Sequence, residues 1–142
     1  MAVEVRILRA GDALVLDRVA DEVFDRPVDA ALRSEFLADP RHHLAVGIAE
    51  RVVVGFASAV HYVHPDKPAQ LWVNEVAVSP AWRRQGVATK ILAALLALGR
   101  DLGCSEAWVL TDGANTAARE LYKAAGGIED GPIIMVTFPL SR

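Results

Sequence analysis

The chain has 142 residues, 53% hydrophobic and 23% charged, with a formal net charge of −3; that balance supports a well-filled core and argues against disorder. A net acidic chain is a poor general partner for nucleic acid, whose phosphates need a basic face. The single cysteine, Cys104, excludes an internal disulfide and fits a reducing, cytoplasmic setting; no apolar run is long enough to span a membrane, and the alternating charges of Met1–Ala10 are not those of a secretory signal.

In chain order, Val3–Leu8 alternates apolar and charged residues and reads as a first strand. Asp12 is placed to cap a helix whose apolar positions are Leu14, Leu16, Val19, Val23 and Phe24, broken at Pro27. A second short helix, Val28–Leu37, stops before Pro40. Leu44–Ala49 and Val52–Tyr62, rich in β-branched residues, predict a hairpin around Glu50-Arg51, and the two prolines of His64–Pro68 make a loop. Leu71–Val78 is the next strand. Arg84–Leu102 follows as the central helix, with Val87, Ile91, Leu95, Leu98 and Leu102 at helical spacing and Gly103 at its end. Ala107–Thr111 reads as a buried strand, Asn115–Ala125 as a helix capped by Gly126-Gly127, and Ile133–Phe138 as a final strand. That order predicts one α/β domain over residues 1–142, a mixed sheet with helices on both faces.

The most informative segment is Arg83-Arg84-Gln85-Gly86-Val87-Ala88-Thr89, between a strand and a helix. The first amides of a helix lack intrahelical partners and sit at the positive end of its dipole, so they suit a phosphate. Gly86 allows close backbone approach, Ala88 keeps the next turn open, and two arginines add charge. Read by itself, the turn is either a diphosphate cradle or a solvated helix start.

Three segments in order resemble the GNAT superfamily of acetyl-CoA-dependent N-acetyltransferases. They are Arg83-x-x-Gly86-x-Ala88, the preceding strand end Glu75-Val76-Ala77-Val78-Ser79-Pro80, and the late helix Asn115-x-x-Ala118-x-x-Leu121-Tyr122-x-x-x-Gly126. The resemblance implies a mostly antiparallel central sheet and acetyl-CoA as co-substrate. It implies that the coenzyme is held by Arg83, Arg84, Gln85, Gly86, Val87, Ala88 and Thr89, by the backbone of Ala77 and Val78, and by Asn115 and Tyr122. It also implies a homodimer formed through the late strands.

Glu75 lies on a strand of buried residue types, where a carboxylate is costly unless paired or used. It could take the acceptor's proton directly or through water, or only hold the ammonium; strand alternation could instead turn it to solvent. Tyr122 is either the donor that protonates the departing thiolate, the role the resemblance implies, or a packed aromatic. Asn115 is an N-cap that can also be a ligand. Cys104 has no histidine nearby in sequence and reads as inert, His42-His43 lack metal spacing so that no metal is expected, and His61 and His64 flank Tyr62 with a secondary acid/base role open.

Asp17, Asp21, Glu22, Asp25 and Asp29 outnumber the arginines of the early helices, and Asp112, Glu129 and Asp130 follow later. They form either an acidic wall for a polycationic small-molecule amine, with Asp25, Asp112 and Glu129 joining Glu75 as acceptor-binding residues, or ordinary surface charge. Val76 through Tyr122 further resembles the small aminoglycoside 3-N-acetyltransferases, although Glu75 stands where that group has aspartate. The alternatives are an acetyltransferase acting on a protein amine, polyamine or other metabolite, and a non-catalytic acetyl-CoA-binding domain.

Overall fold

The computed structural model describes residues 2–141. Five strands form one sheet in the order β1-β2-β3-β4-β5: β1 Glu4–Ile7, β2 His42–Ala49, β3 Val52–Tyr62, β4 Gln70–Val78 and β5 Glu106–Val109. The first three pairings are antiparallel and β4 with β5 is parallel. A parallel neighbour needs a crossover, and the helix α2, Val87–Asp101, supplies it. The expected hairpin forms around Glu50 and Arg51, both at positive φ (51° and 66°), as a two-residue type I′ turn requires.

Alternation along the strands divides two cores. On one face Ala45, Val54, Ala57, Leu71 and Val73 meet Val87, Ile91 and Leu95 of α2. On the other, Leu44, Val46, Val53 and Phe56 meet Leu16, Val23 and Leu37 from the early segments. The helix α2 lies close because the strands beneath it are bare at two points. A Cβ on Gly47 or Gly55 would stand 3.1 Å from Ile91 Cδ1.

The first expected helix does not form as read. Residues Ala10–Asp17 make a 3-10 helix with Asp12 at its third position, accepting from the Arg9 amide at 2.8 Å, so Asp12 is not the N-cap. Beyond it the chain joins the sheet: Val53 N–H donates to Arg18 O and Ala20 N–H to Val53 O, each at 2.8 Å. Pairing of β3 with β4 begins only at Gly55, which leaves the β3 edge before it open, and residues 18–20 fill it. The second helix is α1, Ala30–Ala38, capped by Asp29, whose side chain accepts from Leu32 N at 2.8 Å.

The late elements differ most. The α2 helix starts at Val87 rather than Arg84, and β5 ends at Val109. Helix α3, Thr116–Ala124, ends as expected at Gly126 and Gly127, whose amides bond to Lys123 O at 3.0 Å and Tyr122 O at 2.8 Å. The expected strand Ile133–Phe138 has no ladder partner: residues 128–141 carry no strand and all are exposed. A hydrophobic run predicts a strand only if an edge is presented to it, and no edge of this sheet meets that run here.

Ile91 is fully buried between α2 and both glycines. Ile91→Ala is expected to cost about 2–5 kcal/mol through lost transfer and a residual cavity, read as a lowered urea midpoint at unchanged slope.

Candidate functional site

The site begins where two strands part. β4 and β5 pair only from Gln70↔Glu106 to Val73↔Val109, so the β5-facing edge of β4 is open from Asn74 to Val78. The opposite edge is occupied: Ser79 N–H donates to Val54 O at 2.8 Å. By alternation the Ala77 backbone also turns toward β3, while Val76 and Val78 point their amides into the notch. Of the two residues expected to offer backbone to a coenzyme, Val78 is therefore placed to do so and Ala77 is not; Val76 takes its place. The Val78 carbonyl is already held by Arg83 Nε at 3.0 Å.

Below the notch lies the N-terminus of α2. Gly86 occupies the cap position at φ 77° and provides no side-chain cap. The first bond into the helix is Lys90 N–H to Gly86 O at 3.1 Å, so the amides of Val87, Ala88 and Thr89 have no intrahelical acceptor. A Cβ built on Gly86 meets nothing within 4 Å. The Arg84 backbone is also at positive φ (60°), and Gln85 Nε2 donates to Ala81 O at 3.0 Å, which braces the turn. Three free amides, the positive dipole end and exposed Arg84 make a seat for an anion of diphosphate size.

On the face opposite α2 is a cleft of about 630 Å³, within the range of small-molecule sites. Phe24, Phe56, Ser58, Asp25, Asp29 and Glu75 are among its lining residues. Phe24 stacks on Phe56 at 4.2 Å between ring centroids. Glu75 stands opposite Ser58, where an irregularity in the ladder skips Asn74. Glu75 is exposed, yet partial desolvation, and then the charge of Asp25, raises its carboxyl above the ordinary glutamate value.

The acidic wall is thinner than the sequence count. Asp17 is paired with Arg33 at 2.6 Å and Asp29 caps α1, which leaves Asp25 and Glu75 as the unpaired carboxylates at the cleft. Asp112 turns back on its own chain, accepting from Ala114 N at 2.8 Å, and does not line the cleft. Glu129 is held by Arg119 in a bidentate pair at 2.7 and 2.8 Å and is likewise outside it. Asn115 caps α3, accepting from Ala118 N at 3.1 Å. Tyr122 is half-buried, and burial pushes its phenol upward.

The histidines lie elsewhere. His61 Nδ1 is 2.7 Å from His43 Nε2 beneath the sheet, and burial followed by the His61 charge lowers His43 to about 4. Burial raises the Cys104 thiol, which disfavours its thiolate. No group of three or more His, Cys, Asp or Glu among the described residues is placed to bind a metal ion. Phe24, Phe56 and Ser58 were not legible as cleft residues, because only the strand register puts them beside Glu75.

The Acetyltransferase (GNAT) family model matches residues 13–126, and the chain belongs to that family. It is an acetyl-CoA-dependent N-acetyltransferase in a mixed, mostly antiparallel sheet. It is 32% identical over 98 residues to the aminoglycoside N(6')-acetyltransferase type 1 of Salmonella typhimurium, covering 65% of this chain and 68% of that protein. An aminoglycoside acetyltransferase from an uncultured soil metagenomic sample, solved with sisomicin, shares the fold at a TM-score of 0.83 and 18% identity, covering 98% of this chain and 97% of that one. The aminoglycoside N-acetyltransferase AAC(6')-Iy, solved with CoA, does so at 0.77 and 24%, covering 96% and 95%. No helix among the described residues is long and apolar enough to cross a membrane.

Because the folded chain disfavours charge on Glu75, its stability falls as pH rises through the carboxylate range, and the penalty vanishes below the ordinary glutamate value of about 4.3. Glu75→Gln is expected to unfold at an equal or higher urea concentration than the parent at pH 7, with the gap closing at acid pH. A midpoint lower at pH 7 than at pH 4 relative to the parent would contradict the placement of Glu75.

Proposed function

We propose that this chain acetylates an amino group of an aminoglycoside, with Glu75 handling the acceptor's proton. The observation that carries the acceptor side is the pairing of Glu75 with Asp25 in an aromatic-lined cleft beside the open edge of β4. Two unpaired carboxylates over stacked phenylalanines offer an aminosugar both its ammonium partners and an apolar wall. The N(6') relatives at 32% identity support the same substrate class. On regiochemistry they favour the 6' amine over the 3-amine suggested by the Glu75–Tyr122 segment.

Acetyl-CoA supplies an electrophilic thioester carbonyl. The amides of Val87, Ala88 and Thr89, with Arg84, hold the diphosphate, and Gln85 and Arg83 brace the turn that presents them. The outward backbone of Val76 and Val78 holds the pantetheine arm in the manner of an added strand. Glu75, its carboxyl raised above the ordinary glutamate value, accepts a proton from the ammonium, directly or through water, and frees the nitrogen lone pair for attack. Tyr122 keeps its proton at physiological pH and donates it to the departing sulfur. Asp112 and Glu129 belong to the acceptor side only if substrate binding releases them from their present partners.

CoA release measured with acetyl-CoA and a panel of aminoglycosides, polyamines and peptides tests the reading; no release with any aminoglycoside would overturn the substrate class. Mass and NMR analysis of the product separates 6' from 3 acetylation. Glu75→Gln is expected to lower kcat about 10²–10⁴-fold while calorimetric binding of acetyl-CoA is kept. Asp25→Asn removes a charge that raises Glu75, so the acidic limb of kcat/KM should move to lower pH. An unmoved limb would show that Glu75 is not the titrating base.

A further inference from the structure

We infer that the Glu75 cleft takes a second class of acceptor, a primary monoamine with an aromatic or branched aliphatic body, and converts it to the N-acetyl amide with acetyl-CoA. The inference rests on the reading that Glu75 receives the acceptor's ammonium, and not on that acceptor being a sugar.

The first argument is the lining. Three of the chain's four phenylalanines, Phe24, Phe36 and Phe56, meet at this one cleft. Phe56, Leu44 and Leu16 are 2%, 4% and 5% exposed and give it an apolar floor, with Phe24 and Phe36 half-buried beside them. Leu32 stands one turn before Phe36 on α1, lines the same cleft and is 64% exposed, so most of its apolar surface is uncovered. A hydroxylated, multiply charged sugar uses only part of this lining. A phenyl or branched alkyl group gains over all of it by leaving water.

The second argument is charge. The lining holds three carboxylates, Asp25, Asp29 and Glu75, and two guanidiniums, Arg26 and Arg33, an excess of one negative charge. Asp29 is engaged by the Leu32 amide at 2.8 Å and Arg33 by Asp17 at 2.6 Å. What remains for a ligand is Asp25, Glu75 and Arg26. One ammonium shared by the two carboxylates satisfies them. Each further ammonium meets Arg26 or the apolar wall, where an unpartnered charge is costly.

Only the acceptor differs in the group transfer. The amine nitrogen bonds to the acetyl carbon, the carbon–sulfur bond breaks, and the sulfur leaves as the CoA thiol. The ammonium loses two protons: one balances the proton taken by that sulfur, and the other passes through Glu75 to solvent.

The test is CoA release from acetyl-CoA with n-propylamine, 3-methylbutylamine, 2-phenylethylamine, spermidine or sisomicin. From n-propylamine to 2-phenylethylamine kcat/KM should rise about 10-fold or more, the discrimination that one methylene commands in an apolar site. Leu32→Asp should lower kcat/KM for 2-phenylethylamine about 10-fold as a raised KM, with the retained kcat showing that the variant is folded. Arg26→Gln should raise kcat/KM for sisomicin and spermidine relative to 2-phenylethylamine. A flat amine series, or an unmoved KM in Leu32→Asp, overturns the inference. Turnover of sisomicin without 2-phenylethylamine overturns it and leaves the aminoglycoside reading standing. Turnover of 2-phenylethylamine without sisomicin upholds it and removes that reading. Turnover of neither, with acetyl-CoA still bound by calorimetry, overturns both.

Discussion

The whole arrangement depends on how little β4 pairs with β5. Four residues on each side form the parallel ladder and then the strands part. Had the ladder continued, the amides of Val76 and Val78 would be spent on β5, and the space above the first turn of α2 would be filled by strand. Because it stops, the β4 edge stays open beside one uncapped helix start, while the Glu75 carboxylate lies in the cleft on the sheet's other face. The close seat of α2 on Gly47 and Gly55 fixes that helix start against the sheet, so the gap has rigid walls. Backbone groups left unpaired in this way are costly in an empty protein, and a ligand with matching acceptors repays them.

The cradle proposed for the donor can be read in the sequence because it is local. A strand end, a glycine needing positive φ and an apolar helix are contiguous in sequence, and each carries its own signal: β-branched residues, Gly86 and the spacing Val87, Ile91, Leu95. The notch itself was only half legible. The outward partner of Val78 is decided by the register of Ser79 against Val54, which no single strand reveals, and that is why Ala77 was expected where Val76 stands.

The acceptor side was less legible, for the opposite reason. Charge counted along a chain says nothing about which carboxylates are already engaged. Asp17 belongs to Arg33, Asp29 to the α1 amides, Asp112 to the Ala114 amide and Glu129 to Arg119. What survives is Asp25 beside Glu75, a pair brought together from residues fifty apart, and their mutual repulsion raises Glu75 beyond what burial does alone. The early helix was misread for a related reason. Residues 18–20 have helical spacing, but the open β3 edge at Val53 offers two backbone hydrogen bonds, and tertiary pairing outweighs a modest local preference.

The same contest between local pattern and available edge governs the C-terminal arm. Its sequence has every mark of a strand, yet a strand is completed only by a neighbour. Sheet edges and apolar strands are liabilities when each stands alone, and natural chains cover or pair them. In this chain the unpaired edge and the unpaired strand lie on one polypeptide, joined through α3, the helix that also carries Tyr122. The amides proposed to hold the diphosphate belong to the well-packed part of the chain before Gly99, whereas the late helix has no buried residue of its own.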